Sequence, residues 1–209
     1  MEKTIKFIFL ILVIILVLYS HQYGKSPLDE FIDYGSKKIN KDVFGYVYKQ
    51  DFMDRTDYKI LLEELKKYDQ KLEKSWQNSK NVKRYNFVLD SPVIIQLIKK
   101  YENKIRHLTH NSSIYLANNF PIEYRKYVEG SFMKKHRDVQ IYKLPQYECV
   151  LTLSNSTDSF TDIEGRKIKA EPNSIIILKA NGVEHEVTKV THGERKFLKF
   201  IFTETDELA

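Results

Sequence analysis

The chain is poor in the residues that organise stapled or fibrous folds. It has one cysteine, Cys149, in 209 residues, so no internal disulfide can form and no zinc knuckle can be built. Cys149 lies in the apolar stretch Tyr147 to Leu153, where a small hydrophobe suits a core. Seven glycines and five prolines are too few for a collagenous or low-complexity chain, and no internal repeat is present. Basic residues outnumber acidic ones, 34 to 28, yet no run of consecutive Lys or Arg exceeds two. A nucleic-acid binder concentrates its charge and interleaves aromatics, so this thin excess describes a solvated surface and no nucleic-acid partner is expected. With 30% charged and 42% hydrophobic residues, wholesale disorder is excluded, and the length suffices to bury a sizeable core.

Long apolar runs are scarce too. Ile5 to Tyr19 is apolar except for Lys6. Extended over residues 5–23 it has the length a bilayer needs, with Lys6 snorkelling at one end and Tyr19 and Tyr23 at the other. A cleaved signal peptide would be shorter and end in small residues, whereas this run ends Val17-Leu18-Tyr19-Ser20-His21-Gln22. A transmembrane anchor is therefore expected. Residues 24–55 are polar, carry the turn signals Gly24, Pro27, Gly35 and Gly45, and read as a stem.

The spacing of Leu61, Leu65, Tyr68, Leu72 and Trp76 predicts a helix. A second begins at Ser91-Pro92, a cap followed by proline at the first helical position, and presents Ile94, Leu97, Ile98, Tyr101, Ile105 and Leu108 on one face. From about residue 113 the texture changes to short runs rich in Val, Ile, Thr, Tyr and Phe: Ile114–Leu116, Tyr124–Val128, Val139–Tyr142, Cys149–Leu153, Ser174–Leu178, Val183–Val187 and Phe197–Phe202. Such a series suggests an all-β barrel or jelly roll. The expected organisation is an anchor (5–23), a stem (24–55) and a domain (56–209) made of a helical layer (56–110) and a mainly β core (about 113–204).

Chemistry concentrates in that core. In extended chain, positions two apart project from the same side, so His136 and Asp138 can reach one ion together. His185 opens a later β segment. Two imidazoles and one carboxylate make the facial triad of non-haem iron(II) oxygenases, which leaves three positions open for cosubstrate and O₂. His-x-Asp alone is a common pair. What adds specificity is Arg195, ten residues after His185. A 2-oxoglutarate bound to iron through its keto-acid end needs a cation for its distal carboxylate, and the planar guanidinium suits it.

The segments Tyr127-x-x-Gly130-x-Phe132-x-x-x-His136-x-Asp138 and His185-x-Val187-x-x-Val190-x-x-Gly193-x-Arg195 resemble the catalytic domain of the prolyl 4-hydroxylase branch of the 2-oxoglutarate oxygenases, over roughly residues 80–204. The resemblance implies a double-stranded β-helix flanked by helices, Fe(II), 2-oxoglutarate, O₂ and often ascorbate. It matches His136, Asp138 and His185 to the metal ligands and Arg195 to the basic residue for the distal carboxylate. Tyr127 matches a tyrosine whose hydroxyl often reaches the same carboxylate. Lys189 and Glu171-Pro172-Asn173-Ser174 depart from the family's usual proline and Pro–Gly turn.

The expectation is a hydroxylase of peptide or protein side chains, most plausibly proline, releasing succinate and CO₂. It would sit in an endoplasmic-reticulum-type or viral membrane with its catalytic domain lumenal, where the sequons at Asn111 and Asn155 permit glycosylation. The rivals are a same-fold oxygenase acting on lysine or nucleic-acid bases, a silent membrane-tethered binding module, and a zinc hydrolase.

Overall fold

The computed structural model describes residues 45–77 and 82–209. The expected anchor and most of the expected stem lie outside the described residues. Among the described residues no helix is long and apolar enough to cross a membrane.

Strands β1 (Tyr46–Lys49), β2 (Glu73–Gln77) and β3 (Val82–Leu89) bracket α1 (Arg55–Leu65) and a 3-10 turn (Lys66–Lys71). Helices α2 (Pro92–Lys100) and α3 (Glu102–Thr109) follow, then β4 (Tyr115–Leu116), β5 (Ile122–Tyr127) and β6 (Met133–His136). The chain continues through β7 (Gln146–Asn155), β8 (Thr161–Ile163), β9 (Arg166–Ile168), β10 (Ile175–Lys179), β11 (His185–Val187) and β12 (Arg195–Thr203). An eight-stranded sheet runs β1-β10-β7-β12-β5-β3-β2, with β4 also on β12, and a four-stranded sheet runs β6-β11-β8-β9. Every pairing is antiparallel. This is the expected mainly β, jelly-roll arrangement with few helices.

Alternation along the strands sorts side chains between two faces. Tyr124, Cys149, Leu151, Ile175, Ile177, Leu198, Phe200 and Phe202 pack with Leu61, Leu65, Ile94, Leu97, Ile98 and Ile105 of the helices in one core. The intervening positions face the smaller sheet, where Ile176 and Leu178 meet Ile163, Ile168 and Ala170. Cys149 is fully buried in the helix-facing core, as its surroundings in the sequence imply.

Ser91 caps α2 by accepting from the Ile94 N–H, with Pro92 at the first turn. The apolar face expected over one long second helix is divided at Tyr101, which leaves the helical region at φ −95°, ψ 7° and closes α2. Its ring then packs on Phe52 and its hydroxyl holds Asp57, so the break serves packing across elements.

Three expectations need correction. The first helix stops at Leu65, and Trp76 stands in β2, because the β2–β3 hairpin completes the edge of the large sheet. Val139–Tyr142 is not a strand: it contributes one bridge, Tyr142 to Leu208, and the pairing residues lie earlier, in β6. The folded body also starts before residue 56. β1 pairs along β10, Phe52 and Met53 are buried, and Asn173 clasps Met53 through both its amide oxygen and its amide nitrogen. Asn173 stands where a Pro–Gly turn was the norm and adopts φ 60°, a left-handed conformation that asparagine tolerates. Both sequon amides donate within the fold, Asn111 to Glu204 and Asn155 to the Ala170 carbonyl.

Candidate metal centre

His136 ends β6 and His185 opens β11, and the two are directly opposed across the strand pair. Their rings stand 4.3 Å apart between centroids. Asp138 follows just past the end of β6, its backbone carbonyl accepting from the Asn181 N–H. The Asp138 carboxylate lies 3.6 Å from His136 Nε2 and 3.4 Å from His185 Nε2. One donor atom from each of the three residues falls within 4.8 Å of the others. The expected triad is thus assembled from two strand ends and a loop.

The ring orientation is set from behind. His136 Nδ1 lies 2.8 Å from the Lys134 carbonyl and His185 Nδ1 lies 3.4 Å from the Val183 carbonyl. A carbonyl only accepts, so each Nδ1 is placed to donate to it, an arrangement that would leave each Nε2 lone pair free for an ion held in the cluster. Hydrogen bonding to Asp138 raises the His136 pKa, whereas burial lowers that of His185. Burial pushes the Asp138 carboxyl up, but His136, Lys199 and His185 outweigh it and hold the group well below the usual carboxylate range. Two imidazoles and one carboxylate converging on one point suit a divalent first-row transition ion.

Arg195 lies at the first position of β12, opposite Tyr127 of β5, and is 2% exposed. Its position depends on Gly193, at φ +78°, where an added Cβ would stand 2.4 Å from the Ser156 carbonyl oxygen. The Arg195 guanidinium spans to the small sheet, donating to Thr161 Oγ1 at 3.0 Å, and stacks on Phe197. Its Nε is buried without a partner. Burial lowers its pKa to about 10, which leaves it charged at neutral pH. Tyr127 is 1% exposed; its ring meets Phe197 edge-on and its hydroxyl approaches the Met133 sulfur at 3.9 Å. Asp138, His185, Tyr127 and Arg195 line one cavity between the sheets, so the structure gathers all five expected residues in one region. The other histidines among the described residues lie elsewhere in the fold: His192 sits in an exposed turn beside Asp158, and His107 and His110 end α3.

Four further residues belong to this wall and were not foreseen. Thr161 anchors Arg195. Lys199, four residues after Arg195 on the same face, approaches Asp138 at 4.0 Å and pairs with buried Glu148 at 2.6 Å. Arg125 lines the cavity from β5. The alternation Arg195-x-Phe197-x-Lys199 carried the signal for Lys199, since every second residue of a strand shares a face.

No protein-family model matches the sequence, and no curated protein matches it. Solved structures do resemble its fold. A prolyl 4-hydroxylase from Pseudomonas putida superposes with a TM-score of 0.61 at 15% identity, over 76% of this chain and 92% of that one. A prolyl hydroxylase from Trichoplax adhaerens, in complex with a peptide fragment of hypoxia inducible factor, gives a TM-score of 0.59 at 12% identity, over 77% and 84%. The epimerase SnoN, in complex with Fe3+, α-ketoglutarate and a nogalamycin compound, gives a TM-score of 0.60 at 12% identity, over 77% and 79%. The chain therefore has the fold shared by prolyl 4-hydroxylases and other 2-oxoglutarate Fe(II) oxygenases, and His136, Asp138 and His185 fit that family's triad. The neighbours span hydroxylation and epimerisation, so the fold leaves the substrate open.

Proposed function

We propose that this chain is an Fe(II)- and 2-oxoglutarate-dependent oxygenase that hydroxylates a peptide or protein side chain, proline first among them. The observation that carries the reading is the pairing of two ends in one cavity. At one end stand three converging metal donors; at the other stands a buried guanidinium with an unused Nε. A metal-only site, such as a zinc hydrolase, gives the arginine nothing to do.

His136, Asp138 and His185 would hold the ion on one side, leaving its opposite side to the cavity. Arg195 would take the distal carboxylate of 2-oxoglutarate by charge-assisted hydrogen bonds, with Thr161 fixing the fork. Tyr127 would close that end beside it. When bound, the ferrous ion and 2-oxoglutarate supply the oxidising chemistry, giving succinate and CO₂. The protein orients the groups and excludes water: Phe197, Val150, Val187 and Val190 make a dry wall around Tyr127. Ascorbate as a reductant that keeps the ion ferrous, a single-pass anchor over residues 5–23 and a lumenal domain complete the proposal; the anchor is supported by the apolar run Ile5 to Tyr19.

The test is succinate release from 2-oxoglutarate by the Fe(II)-loaded chain with proline- and lysine-containing peptides, read together with a one-oxygen mass gain in the peptide. Turnover that disappears in His136→Ala supports the reading. Failure of the wild-type chain to bind Fe(II) and 2-oxoglutarate in calorimetry rules it out.

A further inference from the structure

The cavity face of the large sheet holds more positive charge than the proposed chemistry uses. Arg125 on β5 and Arg84 on β3 are 6% and 5% exposed. Arg125 lines the same cavity as Asp138 and His185. Its guanidinium pairs with Glu123, two residues earlier on the same strand face. Arg84 shares a side-chain hydrogen bond with Tyr127 and lies near Arg125 and Glu123, while its Nε is buried with no acceptor. An arginine placed only for packing has its buried donors satisfied. This one does not.

Charge bookkeeping points the same way. Arg84, Arg125, Arg195 and Lys199 stand against Glu123, Glu148 and Asp138. A ferrous ion and a 2-oxoglutarate dianion cancel each other. One positive charge is left on a largely buried wall, and a charge removed from water without a counter-charge is disfavoured.

Position excludes the cosubstrate as the missing anion. Arg125 is opposite Phe197, midway between Arg195 and Lys199 but one strand to the side. It therefore flanks the line from the metal donors to Arg195 and stands at neither end. A third molecule must bring the charge, and the molecule that enters beside the metal is the substrate.

We infer that Arg125, backed by Arg84, binds a carboxylate that the substrate carries next to the oxidised side chain, making the substrate an acidic peptide. This rests on the oxygenase reading. Glu123 holds the Arg125 guanidinium in place and sets the limit of the site: it admits one carboxylate, not a cluster. The carboxylate comes either from an Asp or Glu side chain or from the peptide's own C-terminus.

Calorimetry on the full chain, loaded with Fe(II) and 2-oxoglutarate under nitrogen, separates these. Four short-peptide pools with a randomised central residue serve as probes: three amidated, flanked by Asp and Glu, by Asn and Gln, or by Lys, and the neutral pool with a free C-terminus. The acidic pool should bind about tenfold tighter or better than its neutral isostere, and Arg125→Gln should erase the difference. Arg125→Glu should turn the preference toward a lysine-flanked pool. A gain confined to the free-carboxylate pool supports the site and assigns it to chain ends. Thermal melting checks that the variants fold; should Arg125→Gln not fold, Arg84→Gln carries the test, with a smaller loss of preference expected. Equal binding of the acidic, neutral and free-carboxylate pools by the wild type overturns the inference and leaves the oxygenase reading intact. So does loss of 2-oxoglutarate binding in Arg125→Gln, which would hand that guanidinium to the cosubstrate. A wild-type chain that binds no 2-oxoglutarate ends both.

Discussion

The two faces of the eight-stranded sheet are built from the same strands and differ in almost every chemical respect. On β12, Leu198, Phe200 and Phe202 turn to the helices, while Arg195, Phe197 and Lys199 turn to the cavity. On β7, Leu151 turns to the helices and Val150 to the cavity in the same way. One face is an oily core that anchors the sheet. The other carries buried charge that destabilises an empty protein and becomes useful only with ligands. A strand's period of two lets one segment do both, because neighbours in sequence never share a side.

Predictions can break or sharpen this division. The largest effect should follow from Asp138→Ala, which removes the charged donor. Succinate release should fall more than about a thousandfold, a loss of about 4 kcal/mol in transition-state terms, while the melting temperature of the metal-free protein holds or rises. Leu151→Ala, one residue from the cavity wall but on the helix side, should behave oppositely. It should cost about 3 kcal/mol in urea unfolding through the hole it leaves, with Fe(II) binding at low temperature unchanged. Equal damage to activity and stability from either variant would break the two-face picture.

Arg195→Gln comes next. The KM for 2-oxoglutarate should rise about a hundredfold, in line with the loss of a buried charged hydrogen-bond pair, with partial recovery in Arg195→Lys. The smallest effect concerns the helical side's own polar contact. Lys100 and Tyr101 hold the Asp57 carboxyl below its usual range, against the opposing effect of burial. A depressed carboxyl contributes stability that is present above its unfolded pKa, about 4, and is lost as pH falls through the folded value. Urea midpoints should therefore drop as pH falls below about 4, and Asp57→Asn should flatten that part of the profile.

Much of the site was legible because its residues obey local rules. His136-x-Asp138 and the interval from His185 to Arg195 are patterns within single segments, and the cap at Ser91-Pro92 is equally local. Less visible were contacts that depend on pairing between distant strands. Glu148 sits in an apolar run and gives no hint of its partner until β7 meets β12. Arg84 and Arg125 look like ordinary surface basics until β3 and β5 pair. The edge strand β1 was hidden for a similar reason, since Tyr46–Lys49 has no meaning as a strand without β10 beside it.

The facing of His136 and His185 across β6 and β11 has a consequence for assembly. Those strands are only four and three residues long, and their pairing already shifts register between His185 and Val187. A slip of one residue would turn one imidazole away and dismantle the centre. An ion held by both would act as a rivet, locking two short strands that have little else to fix their alignment. Metal loading should thus proofread the fold as well as equip it, stabilising the correctly aligned protein in proportion to the logarithm of free ion concentration.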